Sequence, residues 1–170
     1  MADVKAAMAL GLAILAGGCS SEPDAAEKAR REARDIAQVE AIQKQKPPPR
    51  MIAPQPILYG DIERNHLFGT GCSFAPGSSM GAVLLTRAKV SYMKLDDRIV
   101  RLASDPGSAK LPMGTWSHYS GKELSVALTR STESGDRLGS ETLRWPGHLT
   151  VTDPFDQVVY DEDGQVQCGS

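Results

Sequence analysis

From Tyr59 onwards the chain consists of short runs of strand-forming residues separated by turn residues. In one run Leu124, Val126 and Leu128 alternate with small or polar residues, so that one face of the strand is apolar. This pattern predicts a mainly β domain over residues 59–170, a small antiparallel β-barrel or sandwich built as a meander. The predicted strands are residues 66–74, 82–86, 89–95, 98–103, 123–130, 141–145, 148–152, 157–160 and 165–168.

The segments between these strands are rich in Gly, Pro, Asp and Ser, which favour turn conformations for different steric and hydrogen-bonding reasons. Each such segment is predicted to reverse the chain and to start the next antiparallel strand. The predicted turns are Asp96-Asp97, residues 105–107, Ser120-Gly121, residues 133–136, Pro146-Gly147 and Asp163-Gly164.

The region before the β domain has a different composition. Residues 21–46 are mostly Ala and charged or amide residues, which favour a solvated or fluctuating helix. Ile36, Val39 and Ile42 lie roughly on one side, where a partner helix could bind, but the stripe is thin and a charged tether is the preferred interpretation. Pro47-Pro48-Pro49 then ends the helix and starts a stiff extended piece, so residues 19–58 are predicted to form a tether.

The N-terminus has a short charged start, an apolar run over residues 6–16, and Cys19 after two glycines. This run is much shorter than the roughly 20 apolar residues that span a bilayer as a helix. The layout resembles a bacterial lipoprotein signal, and residues 15–19, LAGGC, resemble the lipobox that precedes a lipidated cysteine. The resemblance implies that residues 1–18 are a removed signal peptide and that Cys19 carries the lipid.

A lipidated Cys19 implies a periplasm-facing protein of the bacterial cell envelope, held on a membrane by its acyl chains. By the same resemblance, Ser20 after the cysteine favours the outer membrane over the inner one. The alternative interpretation of this segment is a buried apolar helix in a cytosolic protein.

Lipidation of Cys19 would leave two further cysteines, Cys72 and Cys168, in an oxidising compartment. We predict that they form a disulfide, with two separate buried thiols as the alternative. In the last predicted strand Cys168 shares a face with Val166, which points both residues inward toward a first strand that carries Cys72.

The composition fits one small globular domain and excludes one class of partner. The chain has 170 residues, a net charge of −2 and 41% hydrophobic residues. Nucleic-acid binding requires clustered Lys and Arg, and the sequence has no such basic stripe. We therefore expect no nucleic-acid partner.

One motif matches a known catalytic pattern. Residues 77–81 match the G-x-S-x-G nucleophile elbow, but that elbow joins a strand to a helix and the residues after this match have a strand pattern. A flexible loop is therefore the preferred interpretation. His118 or His148 could act as a base for some serine, although neither lies in a triad motif, so an envelope hydrolase remains the alternative function.

Two stretches of the sequence carry residue types that bind metals. Asp161 to Gly164 is an acidic stretch, but alignment with the EF-hand loop puts Val159 at the first ligand position, and a polar hairpin tip explains it better. His66 and Cys72 lack the spacing of a zinc site. We predict no metal and no other cofactor.

The stretch from Asp105 to Leu128 carries a second resemblance. The order of Gly107-Ser108-Ala109, then residues 119–123, YSGKE, and a following strand resembles periplasmic C-type lysozyme inhibitors over about residues 72–130. In that family a serine loop and a lysine loop of a small disulfide-closed barrel enter the lysozyme cleft. The resemblance implies partner-binding roles for Ser108 and Lys122.

Trp116 and Tyr119, beside these two loops, are the other candidate partner-binding residues, and half-buried packing is their alternative role. The sequence as a whole thus predicts a non-enzymatic, lipid-anchored envelope protein that acts through binding or structural contacts. Lysozyme inhibition is one specific form of this function.

Overall fold

The structure is a computed structural model that describes residues 24–79, 81–131 and 134–169. The predicted signal peptide and Cys19 lie outside these described residues. The chain divides into two compact units, residues 1–46 and residues 47–170. No helix in the described ranges is long and apolar enough to cross a bilayer.

The described part of the first unit is one helix, α1, over Ala25–Gln43. All of its residues are exposed, and ion pairs one turn apart, such as Glu27 with Arg31, support it. The predicted stripe of Ile36, Val39 and Ile42 lies on this exposed helix.

The second unit contains a helix, α2, over Tyr59–Asn65, a one-turn 3-10 helix over Pro112–Gly114, and a closed antiparallel sheet. The strands are β1 Gly71–Pro76, β2 Leu84–Thr86, β3 Val90–Leu95, β4 Arg98–Ser104, β5 His118–Ser120, β6 Ser125–Arg130, β7 Asp136–Leu138, β8 Thr142–Thr152 and β9 Val158–Gly169. Eight strands hydrogen-bond in the order β6-β5-β4-β3-β2-β1-β9-β8, and β8 pairs with β6 to close the ring, while β7 pairs with β8 outside it. The predicted fold class is therefore confirmed, as a barrel.

Apolar side chains fill the inside of the barrel. Phe74, Met93, Tyr119 and Leu128 are among the fully buried residues, and Trp145 is nearly so. A smaller second core lies outside the ring, where α2 packs on the outer face of β2, β3 and β4. This second core consists of Ile57, Leu67 and Leu85, with Ile62, Tyr92 and Ile99 packed against it.

Cys72 and Cys168 form a disulfide, which confirms the predicted pairing. The two residues lie directly opposite each other in the β1–β9 ladder, and both are buried. The bond joins the first and last strands across 96 residues of sequence. Closing a loop of about this length stabilises a fold by roughly 4–5 kcal/mol in the chain-entropy model.

The predicted turns at Pro146-Gly147 and Asp163-Gly164 are wrong, because β8 and β9 run through them without interruption. The register places Gly147 opposite Gly164. A Cβ atom on Gly147 would collide with the side chain of Val166, and one on Gly164 with the main-chain oxygen of Ala75. Both glycines are thus explained by the close approach of neighbouring strands and not by turns.

Residues 47–58, predicted to be part of the tether, belong to the barrel unit. The main-chain N–H groups of Ile52, Gln55 and Ile57 donate to the carbonyls of Val159, Lys94 and Ala82 at 3.0, 2.8 and 2.8 Å. Prolines cannot donate such bonds, but the residues between them can. The unit boundary is therefore between residues 46 and 47, not between 58 and 59.

The β domain also differs from the prediction at its short elements. The region predicted as one strand over residues 66–74 contains His66, which caps the C-terminus of α2, then a loop and only the first part of β1. The three-residue strands β5 and β7 were not predicted, because three residues are too few to display a periodic pattern.

Replacing Gly164 by Ala should destabilise the barrel by about 2 kcal/mol or more, because the added methyl group would meet main-chain oxygen and the Phe74 ring. Urea unfolding of the two proteins measures the difference. Gly121→Ala is the matched control, since its Cβ would make only ordinary contacts of 3.4 Å and longer. Equal stability losses in both variants would contradict the close-approach explanation.

Candidate functional site

Ser108 lies in the loop of residues 105–117 between β4 and β5 and is half-buried. Its hydroxyl donates to the main-chain carbonyl of Asp105 at 2.7 Å and accepts the main-chain N–H of His118 at 3.2 Å. The hydroxyl therefore holds the two ends of the loop together.

Tyr119, a candidate partner-binding residue, has a completely buried side chain, so it presents no surface for direct contact with a partner. Its hydroxyl donates to the carbonyl of Arg87 at 2.8 Å and accepts the N–H of Trp116 at 3.0 Å. Burial raises the pKa of Tyr119, so the phenol stays protonated and can donate. Tyr119 is a core residue, more deeply buried than the half-buried packing role considered as its alternative.

Trp116 is half-buried at the edge of the same loop. Its indole N–H donates to the carbonyl of Ala88 at 3.1 Å, and the ammonium of Lys110 lies 5.7 Å from the ring centroid. This side chain braces the loop against the β2–β3 turn while part of its ring stays accessible.

Lys122 is exposed in the connection between β5 and β6, and within the described residues its ammonium has no hydrogen bond or ion pair. Ser108 belongs to the connection before β5 and Lys122 to the connection after it, so the two residues lie at opposite ends of β5. From His118 to Lys122 the strand direction spans at most about 13 Å. One partner surface of ordinary size could contact both loops.

The serine motif at residues 77–81 lies in the connection between antiparallel strands β1 and β2, and not at a strand-to-helix elbow. The N–H of Ser79 donates to the carbonyl of Pro76 at 3.0 Å, which makes a turn after β1. Nothing in this context favours a nucleophile.

Ser108, His118 and Asp105 come together in the β4–β5 loop without forming a triad. The Nδ1 atom of His118 is 3.6 Å from a carboxylate oxygen of Asp105, but the hydroxyl of Ser108 donates its proton to main chain. Across the described ranges, no serine hydroxyl is hydrogen-bonded to a histidine ring. No observation therefore favours the hydrolase alternative.

Asp161 and Asp163 were predicted to lie in a hairpin tip, but they lie on one face of the continuous strand β9. The ring of His148, on β8, lies between them: Nδ1 is 2.8 Å from Oδ1 of Asp163, and Nε2 is 2.8 Å from Oδ1 of Asp161. Thr150 donates to the same oxygen of Asp161 at 2.8 Å. We call His148, Thr150, Asp161 and Asp163 the histidine clamp.

Two ionised carboxylates can accept hydrogen bonds from both ring nitrogens only when the ring carries two protons. The hydrogen bonds to Asp163 and Asp161 accordingly raise the pKa of His148. The hydrogen bond from Thr150, followed by that from His148, lowers the pKa of Asp161. The clamp therefore favours the doubly protonated ring of His148. Among the described residues, no cluster of His, Cys, Asp and Glu has the geometry of a metal site.

A second feature that sequence reasoning missed is an exposed group of large apolar side chains at α2. Leu58, Tyr59 and Phe68 are 62%, 67% and 60% exposed, and the rings of Tyr59 and Phe68 meet edge to face with centroids 6.4 Å apart. We call these three residues the aromatic patch. The sequence gives little indication of this patch, because the seven residues of α2 are too few to show a clear helical pattern.

Asp61 holds α2, and with it the aromatic patch, on the barrel. This buried carboxylate accepts the N–H of Leu58 at 3.0 Å, the ammonium of Lys94 on β3 at 3.0 Å and the guanidinium of Arg64 at 2.8 Å. The Leu58 amide and then Lys94 hold the pKa of Asp61 below its usual value. These three donors favour the ionised form of the carboxylate and outweigh its burial, which opposes ionisation.

Comparison with known protein families, with curated proteins and with solved structures finds no match to this chain.

The histidine clamp should make stability depend on pH. Because folding raises the pKa of His148, the clamp should stabilise the protein fully below the usual histidine pKa of about 6.5 and lose this contribution as pH rises through the higher folded value. His148→Gln should therefore lower the urea midpoint at about pH 6 and have less effect at about pH 9.

His66→Gln is the matched control, because His66 is exposed and outside the clamp. We expect this control to have the pH profile of the unmodified protein. Identical pH profiles for His148→Gln and the unmodified protein would show that the clamp does not contribute.

Proposed function

We propose that this chain is an envelope lipoprotein, anchored to a bacterial membrane through acylated Cys19, whose barrel acts by binding other macromolecules. The LAGGC sequence at residues 15–19 supports the anchor. The Cys72–Cys168 disulfide supports an oxidising compartment, since structural disulfides persist outside the cytoplasm. Ser20 favours the outer membrane as the site of anchoring.

The observation that carries the binding function is the aromatic patch. Side chains fill the barrel interior, so a large partner has to contact the outside of the barrel. Large aromatic side chains that stay exposed on a rigid surface are typical of interaction sites, where such residues contribute much of the binding energy. Asp61 and Lys94 supply that rigidity here.

A lysozyme of the C type is a specific partner within this proposal. The exposed ammonium of Lys122 is available to pair with carboxylates of a partner, and the β4–β5 loop with Ser108 and Trp116 is braced for contact. Tyr119 contributes to this surface only indirectly, because its buried hydroxyl accepts the main-chain N–H of Trp116.

Cys19→Ser should release the protein from membranes, because two or more acyl chains are needed for stable anchoring and the variant would carry none. Fractionation of cells that produce the two proteins, followed by detection in the pellet and the soluble fraction, measures the effect. Ser21→Ala should remain in the membrane pellet as the control. A Cys19→Ser protein that still sediments with membranes would contradict lipidation.

A photo-reactive amino acid placed at Tyr59 should cross-link the protein to a partner in the intact envelope, because the patch would be covered in the complex. The same amino acid at Lys122 should cross-link to added C-type lysozyme if lysozyme is the partner. Val158, exposed on β9, is the control position. Equal yields of cross-linked product from positions 158 and 59 would contradict a specific binding patch. No cross-link from position 122 to lysozyme would contradict only the proposal that lysozyme is the partner.

A further inference from the structure

A cleft of about 670 Å³, lined by both polar and apolar groups, lies on the outside of the barrel. One wall is the loop after β1, where Ser78 lies, and the opposite wall includes Asp136 of β7. The floor is the outer face of β1, β9 and β8. We call this cavity the outer cleft.

The strand register builds the floor. Ser73 lies opposite Gln167, Gln167 opposite Arg144, and Arg144 opposite Asp136, which makes one row across four strands. Directly opposite residues of antiparallel strands project from the same face of the sheet. Because Cys168, next to Gln167, is buried inside the barrel, this row faces outward.

The hydrogen-bonding groups of this floor are not consumed by contacts within the protein. Ser73, Gln165 and Gln167 make no side-chain hydrogen bond to any other residue in the described ranges. Gln165 is half-buried, and its two cross-strand neighbours are Ala75 and Pro146, which offer no polar side chain. Its amide can be satisfied only by water or by a ligand.

The charges of the outer cleft balance. Arg144 and Asp136 lie on one row, with their side-chain atoms 3.9 Å apart. An anionic ligand would meet the carboxylate of Asp136, and a cationic ligand would meet the guanidinium of Arg144. The cleft is therefore suited to a ligand without net charge.

The chemistry of the lining defines that ligand further. The two amides and the serine hydroxyl offer donors and acceptors side by side, and Ala75 and Pro146 add apolar floor between them. A sugar ring presents vicinal hydroxyls at its edge and apolar CH groups on its faces. The volume lies within the range of about 300–1,000 Å³ that holds small ligands.

We propose that the outer cleft binds a neutral oligosaccharide, with the amides of Gln165 and Gln167 as its main hydrogen-bonding groups. This site is separate from the aromatic patch and from Lys122. Oligosaccharide binding in the outer cleft does not depend on the lipid anchor. If either the oligosaccharide proposal or the envelope-lipoprotein proposal fails, the other is unaffected.

Titration of the full chain in detergent with neutral tetrasaccharides of N-acetylglucosamine or glucose tests the proposal. We expect saturable changes in NMR amide signals of β1, β8 and β9 with at least one of these probes. Loss of both amides in Gln165→Ala/Gln167→Ala should weaken binding by about fivefold or more, because each lost hydrogen bond costs a few-fold in affinity.

Gln38→Ala/Gln43→Ala, on exposed helix α1, is the matched control and should bind as the unmodified protein does. Circular dichroism would verify that both double variants keep their strands. No saturable shift with either tetrasaccharide at about 10 mM, or unchanged affinity in the Gln165/Gln167 variant, would overturn the proposal.

Discussion

The close packing of strands at Gly147 and Gly164 is the constraint on which the barrel depends. These glycines face each other in the β8–β9 hairpin, whose strands also pair with β6, β7 and β1. A side chain at either position would push a neighbouring strand away. Since β8 closes the ring against β6 while β9 carries Cys168 to Cys72, the hairpin connects both the hydrogen-bonded and the covalent closure of the fold.

A closed and filled barrel restricts binding of large partners to the outside of the molecule. Because side chains fill the interior, the surface available to a partner consists of the outward-facing residues of the strands, the connections between strands, and α2. Both the histidine clamp and the outer cleft lie on β8 and β9, where cross-strand neighbours such as His148 and Asp163 come from one continuous hairpin. The register of the hairpin therefore determines which polar side chains meet.

Local alternation was enough to predict much of the sheet, as the agreement between the predicted strand at residues 123–130 and β6 shows. The turn predictions failed at Gly147 and Gly164. Glycine is required both in turns and where strands approach closely, and only the positions of the neighbouring strands distinguish these two roles. The Cys72–Cys168 pair was predictable from the expected oxidising compartment and from the strand face of Cys168. The histidine clamp was not, because its members are neighbours only in the correct register.

The second outward element, α2, is too short to be stable by itself, so its position depends on tertiary contacts. Ile62 packs against the outer core, and Asp61 bonds to Lys94 on β3. Arg64, one turn later, adds an ion pair to Asp61 from a largely exposed guanidinium, which limits its contribution. Because these contacts order Tyr59 before any partner arrives, less conformational entropy is lost on binding than a flexible loop would lose. The buried carboxylate thus links a stable barrel to an exposed aromatic surface.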